Sequence, residues 1–336
     1  MRLLRYTVRR LLLLIPVLLG VSIFTFVLVR VLPGDPIRTL LPQTATPADI
    51  AAARARYGLD HPIFTQYWIF LKGLVHGDLG TSFQTGAPVT RELSQRLGPT
   101  FELVTCALVL ALLLGVTLGV AAALRRGGVW DQVVRFGSLA AGAVSEFWLG
   151  LLLILLFYYH LGLAPAPNGR INTDIPLHTI THIDIVDAII TGNLAALRSV
   201  LAHLALPVLT LTLVSSAPIV RGVRASALQV LASDAYRCTE AHGLPARMRV
   251  FRYVVRESLV GVPTLAALIY GYLLGGAVLV EYVFSWQGFG QWALHGMLFR
   301  DYPIVQAFVL VSAAFYVLVF LAADVLHAVL DPRVRL

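Results

Sequence analysis

Residues 101–124 read FELVTCALVLALLLGVTLGVAAAL, and the two that follow are Arg125 and Arg126. An α-helix rises about 1.5 Å per residue, so an apolar run of this length crosses the roughly 30 Å hydrocarbon core of a bilayer. Five further runs reach similar length, at 11–31, 136–160, 200–220, 258–281 and 304–330. The whole chain of 336 residues is 58% hydrophobic and only 13% charged, with a mean hydropathy of +0.79. Soluble proteins carry about 25% charged residues, so this chain lacks the charge to cover a water-facing surface. The expected fold is an all-α polytopic membrane protein with six transmembrane helices. Disordered, collagen-like and disulfide-stapled classes are excluded, since the 27 glycines follow no triplet period and there are two cysteines, Cys106 in an apolar run and Cys238 in an arginine-rich stretch.

Arginine sets the orientation. With the N-terminus in the cytoplasm, segments 1–10, 125–135, 221–257 and 331–336 hold sixteen of the 26 basic residues in 64 positions, while 32–100, 160–200 and 282–303 hold nine in 132. The positive-inside rule then places both termini in the cytoplasm. Arg2, Arg5, Arg9 and Arg10 precede the first run as in a signal peptide, but Leu11–Val29 exceeds the usual apolar length and no Ala-x-Ala site follows, so an uncleaved span is expected. The net charge of +8 lies at span ends, as topology requires, and nucleic acid is not an expected partner. Lys72 is the only lysine and Gly73 follows it, so the chain has no Gly-Lys-Ser/Thr phosphate loop and hydrolyses no ATP by that route. Neither His-Glu-x-x-His nor Gly-x-Ser-x-Gly occurs, and the spans contain no evident nucleophile and base pair, which counts against a membrane enzyme.

Outside the membrane, Thr46-Pro47-Ala48-Asp49-Ile50 has the pattern of a capped helix with proline in its first turn, stopped by Gly58. A small extracytoplasmic subdomain over 32–100 is expected. The 160–200 loop opens on turn chemistry at Pro165, Pro167, Asn168, Gly169 and Asn172. His178 and His182 with Asp184 and Asp187 suggest metal ligation, but without a third ligand of evident geometry a loop with surface histidines is the expected reading, and no metal site is assigned. Ionisable residues at membrane depth are costly, which singles out Glu146, Glu281 and Asp324. Glu146 either lines a path or makes an interhelical hydrogen bond; Asp324 is expected to pair with an arginine. Pro207 and Pro218 either unwind the fourth span beside a path or kink it. Gly115 and Gly119, and Gly271 and Gly275, have the spacing of close helix packing. Trp286, Trp292 and Tyr302 are expected in an interfacial aromatic belt.

The most informative segment is 221–257, which carries Arg221, Arg224, Arg237, Arg247, Arg249, Arg252 and Arg256. Within it, Ser233 or Asp234 can cap a short helix that Gly243 ends, with Pro245 just beyond. Arg249, Arg252 and Arg256 then share one face of a second helix, opposite Val250, Phe251, Val254 and Val255, as in a helix beside anionic headgroups.

The run from Asp234 to Leu244, with Arg237-Cys238-Thr239-Glu240-Ala241 inside it, resembles the cytoplasmic coupling loop of binding-protein-dependent ABC importer permeases, in the form used by the dipeptide and oligopeptide group. Further stretches resemble that family's first permease subunit: Leu32-Pro33-Gly34-Asp35-Pro36; Gly77 to Ser82; Glu281-x-Val283-Phe284-Ser285-Trp286-x-Gly288-x-Gly290; Arg300-Asp301-Tyr302-Pro303; and Leu330-Asp331-Pro332-Arg333. One departure stands out: Arg237-Cys238-Thr239 occupies the place of the family's Glu-Ala-Ala.

The resemblance implies six helices of the type I ABC importer permease kind, arranged as residues 1–31, an extracytoplasmic subdomain at 32–100, and a five-helix core at 101–336. It implies a permease in the cell inner membrane that is not itself an enzyme and holds no cofactor. Two separate ATP-binding subunits would carry ATP and Mg, a second homologous permease would complete the path, and an extracytoplasmic binding protein would deliver substrate. Peptides are the implied cargo, with nickel chelates, glutathione or glycosides as alternatives. The coupling residues implied are Asp234, Tyr236, Arg237, Glu240, Ala241, Gly243 and Leu244, with Tyr236 and Leu244 entering a groove on the ATPase, the charged residues at its rim, and Gly243 permitting the turn. Glu146, Pro207 and Pro218 are the candidate path residues.

Overall fold

The computed structural model describes residues 2–31, 37, 41 and 44–330. The Leu32–Pro36 motif and Asp331-Pro332-Arg333 lie outside the described residues. In chain order the helices are α1 (Arg2–Val31), α2 (Pro47–Arg56), α3 (Ile63–Val75), α4 (Val89–Leu124), α5 (Val129–Ala143), α6 (Glu146–Leu153, continuing as π-helical turns to His160), α7 (Asp184–Ile190), α8 (Leu194–Ala232), α9 (Asp234–Ala241), α10 (Ala246–Arg249, continuing as π-helical turns through Val255 and ending at Ser258), α11 (Val262–Val283), α12 (Phe289–Leu298) and α13 (Tyr302–Leu330). The described residues contain no strand, only an isolated bridge between Thr81 and Pro88.

By length and composition α4, α8, α11 and α13 can each cross a bilayer, and α1 contains a shorter apolar stretch, Ile15–Arg30. The run at 136–160 is not one straight span. It is divided between α5 and α6, which are bent by 103° at Val144–Ser145, where Val144 and Ser145 take extended backbone angles. Apolarity predicts depth but is blind to this bend. The fifth run is also shifted: Ser258 ends α10, and the helix begins at Val262 after Leu259–Gly261.

The centre of the bundle is the pair α4 and α8, which form the most extensive helix contact. They run parallel, with the Thr212 hydroxyl donating to the Ala107 carbonyl (3.2 Å) near the middle of both. Gly115 lies directly against Ile219, and a Cβ at Gly119 would sit 3.0 Å from Val223 Cβ. The first glycine pair therefore packs two helices of this chain. The second is half used: Gly271 meets the Tyr316 ring on α13, while Gly275 faces open space. Pro207 and Pro218 do not unwind α8, which stays helical through both. Arg224 on α8 makes a two-pronged ion pair with Asp131 on α5 (2.7 and 2.8 Å), fixing α5 against α8 at the arginine-rich end.

At the opposite end, carboxylates tie the connecting segments to the bundle. Glu281, fully buried, accepts from the Thr100 hydroxyl and from the Gln291 N–H (2.8 Å), while Thr100 Oγ1 accepts from the Phe289 N–H (2.8 Å). Asp301, also fully buried, accepts from the Ser82 hydroxyl (2.6 Å) and the Gln84 N–H (3.1 Å). Motifs 77–82 and 300–303, far apart in sequence, are thus one unit in space. The expected aromatic belt is absent here: Trp286, Trp292 and Tyr302 are all buried. Each indole is drawn inward by an acceptor, the Pro99 carbonyl for Trp286 (2.9 Å) and Glu92 for Trp292 (2.7 Å).

Two substitutions test these contacts. Gly115→Val places a branched side chain into Ile219, and overpacking of this kind costs about 1–3 kcal/mol; a lowered melting temperature of the detergent-solubilised protein is expected. Asp301→Ala leaves the Ser82 hydroxyl and Gln84 N–H without their acceptor, at about 1–3 kcal/mol, and should lower the same melting temperature, whereas Asp174→Ala, at an exposed position between α6 and α7, should not.

Candidate coupling site

The short helix α9 begins where α8 ends, and one residue does both jobs. The Ser233 N–H and hydroxyl donate to the Val230 carbonyl (3.0 and 2.6 Å), closing α8, while Ser233 Oγ accepts from the Tyr236 N–H (3.3 Å), opening α9. Of the two expected caps, Ser233 is the one used. At the other end Gly243 takes φ +68°, with its N–H on the Glu240 carbonyl (2.9 Å) and the Leu244 N–H on the Thr239 carbonyl (3.2 Å). This paired closure needs a left-handed residue, which glycine supplies without steric cost.

The expected coupling residues divide into two faces. Asp234, Arg237, Glu240, Ala241 and Gly243 are exposed, and Leu244 is half-buried. Tyr236 does not project outward as expected: it is half-buried and packs against the main core of the bundle, with the Arg249 guanidinium 5.6 Å from its ring centre. Arg249 also departs from expectation, leaving the headgroup-facing row to form an ion pair with Glu240 (2.6 Å). That pair ties α9 to α10. Arg237 and Asp234 are 3.6 Å apart but largely exposed, and such pairs contribute little. Behind α9 lies a groove of about 920 Å³, lined among others by Tyr236, Arg252, Tyr253, Arg256 and Glu257.

These contacts join α9 to the rest of the chain at two points: through the Ser233 junction to α8, the most buried of the four helices long enough to cross a bilayer, and through Glu240 and Arg249 to α10.

The candidate path residues are placed differently. Pro207 is buried and Pro218 half-buried within α8. Glu146 opens α6 immediately after the bend and is buried, with its Oε2 lodged so close to Gly276 on α11 that a Cβ there would sit 2.6 Å away. Among the described residues its Oε1 has no hydrogen-bond partner.

In the 160–200 loop, the carboxylates serve the chain itself. Asp187 accepts from the Thr181 hydroxyl and N–H (2.7 and 2.8 Å) and from the Ile180 and His182 N–H groups. Burial alone would raise its pKa, but these bonds outweigh it and hold the carboxyl below the ordinary range. Asp184 is shifted up by burial, although Arg170 lies 2.9 Å away and opposes the shift. Among the described residues there is no cluster of three or more potential metal ligands. Glu102 escaped the sequence reading altogether. It accepts from the Ile185 and Asp184 N–H groups (2.6 and 3.3 Å), pinning the start of α7 to α4. An acid one position into an otherwise apolar run was the signal available.

At the far end from α9, a second cavity of about 530 Å³ lies between the 84–96 segment and α12, with Glu92, Arg96, Gln287, Gln291, His295 and Phe299 in its wall.

Comparison with known proteins fits this arrangement. Residues 115–336 match the family described as binding-protein-dependent transport system inner membrane component, and residues 3–104 match the N-terminal region described for membrane components of the same systems. The chain is 37% identical over 332 residues to a dipeptide transport system permease protein of Alkalihalophilus pseudofirmus, covering 99% of both chains. It is 36% identical to a dipeptide transport system permease protein of Escherichia coli K12 and 35% identical to a glutathione transport system permease protein of Pectobacterium atrosepticum, again with 99% of each chain covered. With capped helix, buried carboxylate ties and apolar bundle all carried on a sequence matched along nearly its whole length, this chain belongs to the binding-protein-dependent transport system inner membrane components.

Proposed function

We propose that the chain is one of two homologous permease subunits of an ATP-driven importer of peptides, and that α9 is its contact with an ATP-binding subunit. The observation that carries the coupling role is the construction of α9: capped at both ends, braced to α10 by Glu240 and Arg249, and exposed along the face bearing Asp234, Arg237 and Ala241. The peptide reading is supported by relatives named for dipeptide transport that align with the full chain.

In this reading both termini and α9 face the cytoplasm, and ATP and Mg are held by two partner subunits. Closure of those subunits on ATP presses on the exposed face of α9. Because packed interfaces switch between discrete arrangements, the displacement tilts α8 as a body, and the path between the two permeases opens alternately inward and outward. ATP drives the cycle only through unequal affinity for the two states. Tyr236 is the inward anchor of the lever, Leu244 supports its terminus, and the exposed charges meet the ATPase rim. The segment 32–100 lies outside and receives a substrate-loaded binding protein. The cavity bounded by Glu92, Arg96 and α12 sits on that side, where carboxylate, guanidinium and amide groups suit polar contacts with a docking protein. Glu146, buried at the bend beside Gly276, is the path residue of choice, and motion of α6 against α11 would uncover it.

The glutathione relative gives a second cargo reading, since glutathione is itself a peptide. Competition between labelled dipeptide and unlabelled glutathione in proteoliposomes containing the full complex separates the two: a dipeptide importer is expected to lose uptake with excess unlabelled dipeptide and keep it with excess glutathione.

Gly243→Val tests coupling. Holding a β-branched residue in left-handed backbone costs about 1–2 kcal/mol, so the closure at Gly243 should open while the bundle remains intact. ATP hydrolysis by the complex should persist and ATP-dependent uptake should fall; unchanged uptake per ATP would remove α9 from the coupling role. Arg249→Ala should lower the same ratio by a smaller amount, since the Ser233 junction remains.

A further inference from the structure

Helix α3 (Ile63–Val75) has no polar face. Gln66, Tyr67, Phe70 and Leu74 turn toward the protein, while the opposite side presents Phe64, Trp68, Ile69 and Val75, whose exposures are 87%, 67%, 55% and 79%. Only Thr65 and Lys72 interrupt that outward row. A helix at the surface of a water-facing subdomain would carry polar residues there; one apolar all round is placed in protein or in lipid. No residue of α3 is fully buried by this chain.

The inward contacts locate α3. Arg30, at the end of the apolar stretch of α1, donates to Gln66 Oε1 from Nε and Nη2 (3.0 and 2.8 Å). The Tyr67 hydroxyl shares a hydrogen bond of 3.0 Å with Ser22, and Phe26 meets the Tyr67 and Phe70 rings at 5.2 and 5.9 Å. Ser22 lies eight residues before Arg30, about 12 Å further along α1. So α3 does not stand above the apolar stretch of α1 but lies beside it, at the depth of Ser22 to Arg30. There its outward row continues the apolar surface that α1 presents at Phe24, Val27 and Leu28.

We propose that α3 is a membrane-seated helix, lying in the boundary between headgroups and acyl chains of the leaflet opposite the coupling helix, with Phe64, Trp68, Ile69 and Val75 in lipid. Two features of its outward row suit that setting. Trp68 has the amphipathic ring that favours the interface, and Lys72, on a four-carbon stem, reaches headgroup phosphate while its neighbours stay in the acyl region. The inference rests on α1 crossing the membrane. It leaves α2 and the 78–88 segment as the part of the outer subdomain that projects into water, and it makes α3 a strut that fixes their height above the bilayer.

The test is a nitroxide label at Trp68→Cys, with Ala52→Cys on α2 and Phe24→Cys on α1 as references, each in a Cys106→Ala, Cys238→Ser background. The full chain is assembled with its transporter subunits in vesicles of phosphatidylethanolamine and phosphatidylglycerol. Power-saturation EPR then compares collisions with oxygen, which concentrates in lipid, against those with a water-soluble nickel chelate. The Trp68 label is expected to show an oxygen-to-nickel ratio raised well above that at Ala52 and close to that at Phe24. A ratio at Trp68 equal to that at Ala52 places α3 in water, and a label shielded from both reagents places it against another protein; either overturns the proposal. A nickel-accessible label at Phe24 would overturn the spanning of α1 as well, so the two failures are distinguishable.

Discussion

The close approach of α4 and α8 at Gly115 and Gly119 is the contact on which the rest depends. Lipid supplies no hydrophobic force between helices, so their association relies on van der Waals contact, and small residues bring two backbones near enough to make that contact extensive. The coupling helix and several of the outer ties hang from one of these two helices. From α8, through the shared cap at Ser233, comes the coupling helix. From α4 come Glu102, which holds α7, and Pro99 and Thr100, which receive Trp286 and the 281–291 turn. Because α4 and α8 run parallel and exceed the bilayer thickness, the coupling helix lies at one end of the pair and the carboxylate ties at the other.

The two ends use charge in opposite ways. At the α9 end, ion pairs brace one helix against the next: Arg249 with the exposed Glu240, and Arg224 with the buried Asp131. At the other end Glu281 and Asp301 are enclosed and satisfied mainly by hydroxyl and backbone donors. A buried acceptor must find donors, since leaving it unpaired costs far more than the net gain of any one bond. That obligation is what joins the 77–82 segment to the 300–303 turn and packs the outer loops into a continuous layer. Glu146 stands apart from both patterns, enclosed at the α5–α6 bend with one oxygen unpaired, a position that suits a residue waiting on a change of helix packing.

Much of this was legible from residue order. Four of the six apolar runs fall wholly on helices and the other two are helical on either side of a short break, and the caps of α2 and α9 are where Thr46, Ser233 and Gly243 place them. These are local effects, set by neighbours within a few residues. The misreadings share a cause of the opposite kind. Trp286, Trp292 and Tyr302 have the composition of an aromatic belt, yet distant acceptors and packing draw them inward. Arg249 fits an arginine row along a helix until Glu240, on another helix, captures it. Tyr236 sits in the coupling segment but turns to the core. The 103° bend between α5 and α6 left no proline or charge at Val144–Ser145 to betray it.

By itself the sequence determined that the chain is helical and apolar, that it carries no ATP-hydrolysing phosphate loop of its own, and that a short helix is capped at Ser233 or Asp234 and closes at Gly243. Each follows from composition or from bonds spanning a few residues, which exist wherever the chain is placed. Only the tertiary structure decided which buried carboxylates serve the fold and which is left unpaired, which way Tyr236 and Arg249 turn, and that α3 lies alongside α1 with its apolar face outward. Those outcomes rest on partners carried by other elements, from nine residues away for Arg249 and Glu240 to 219 for Asp301 and Ser82, and which of them meet is a property of how helices pack.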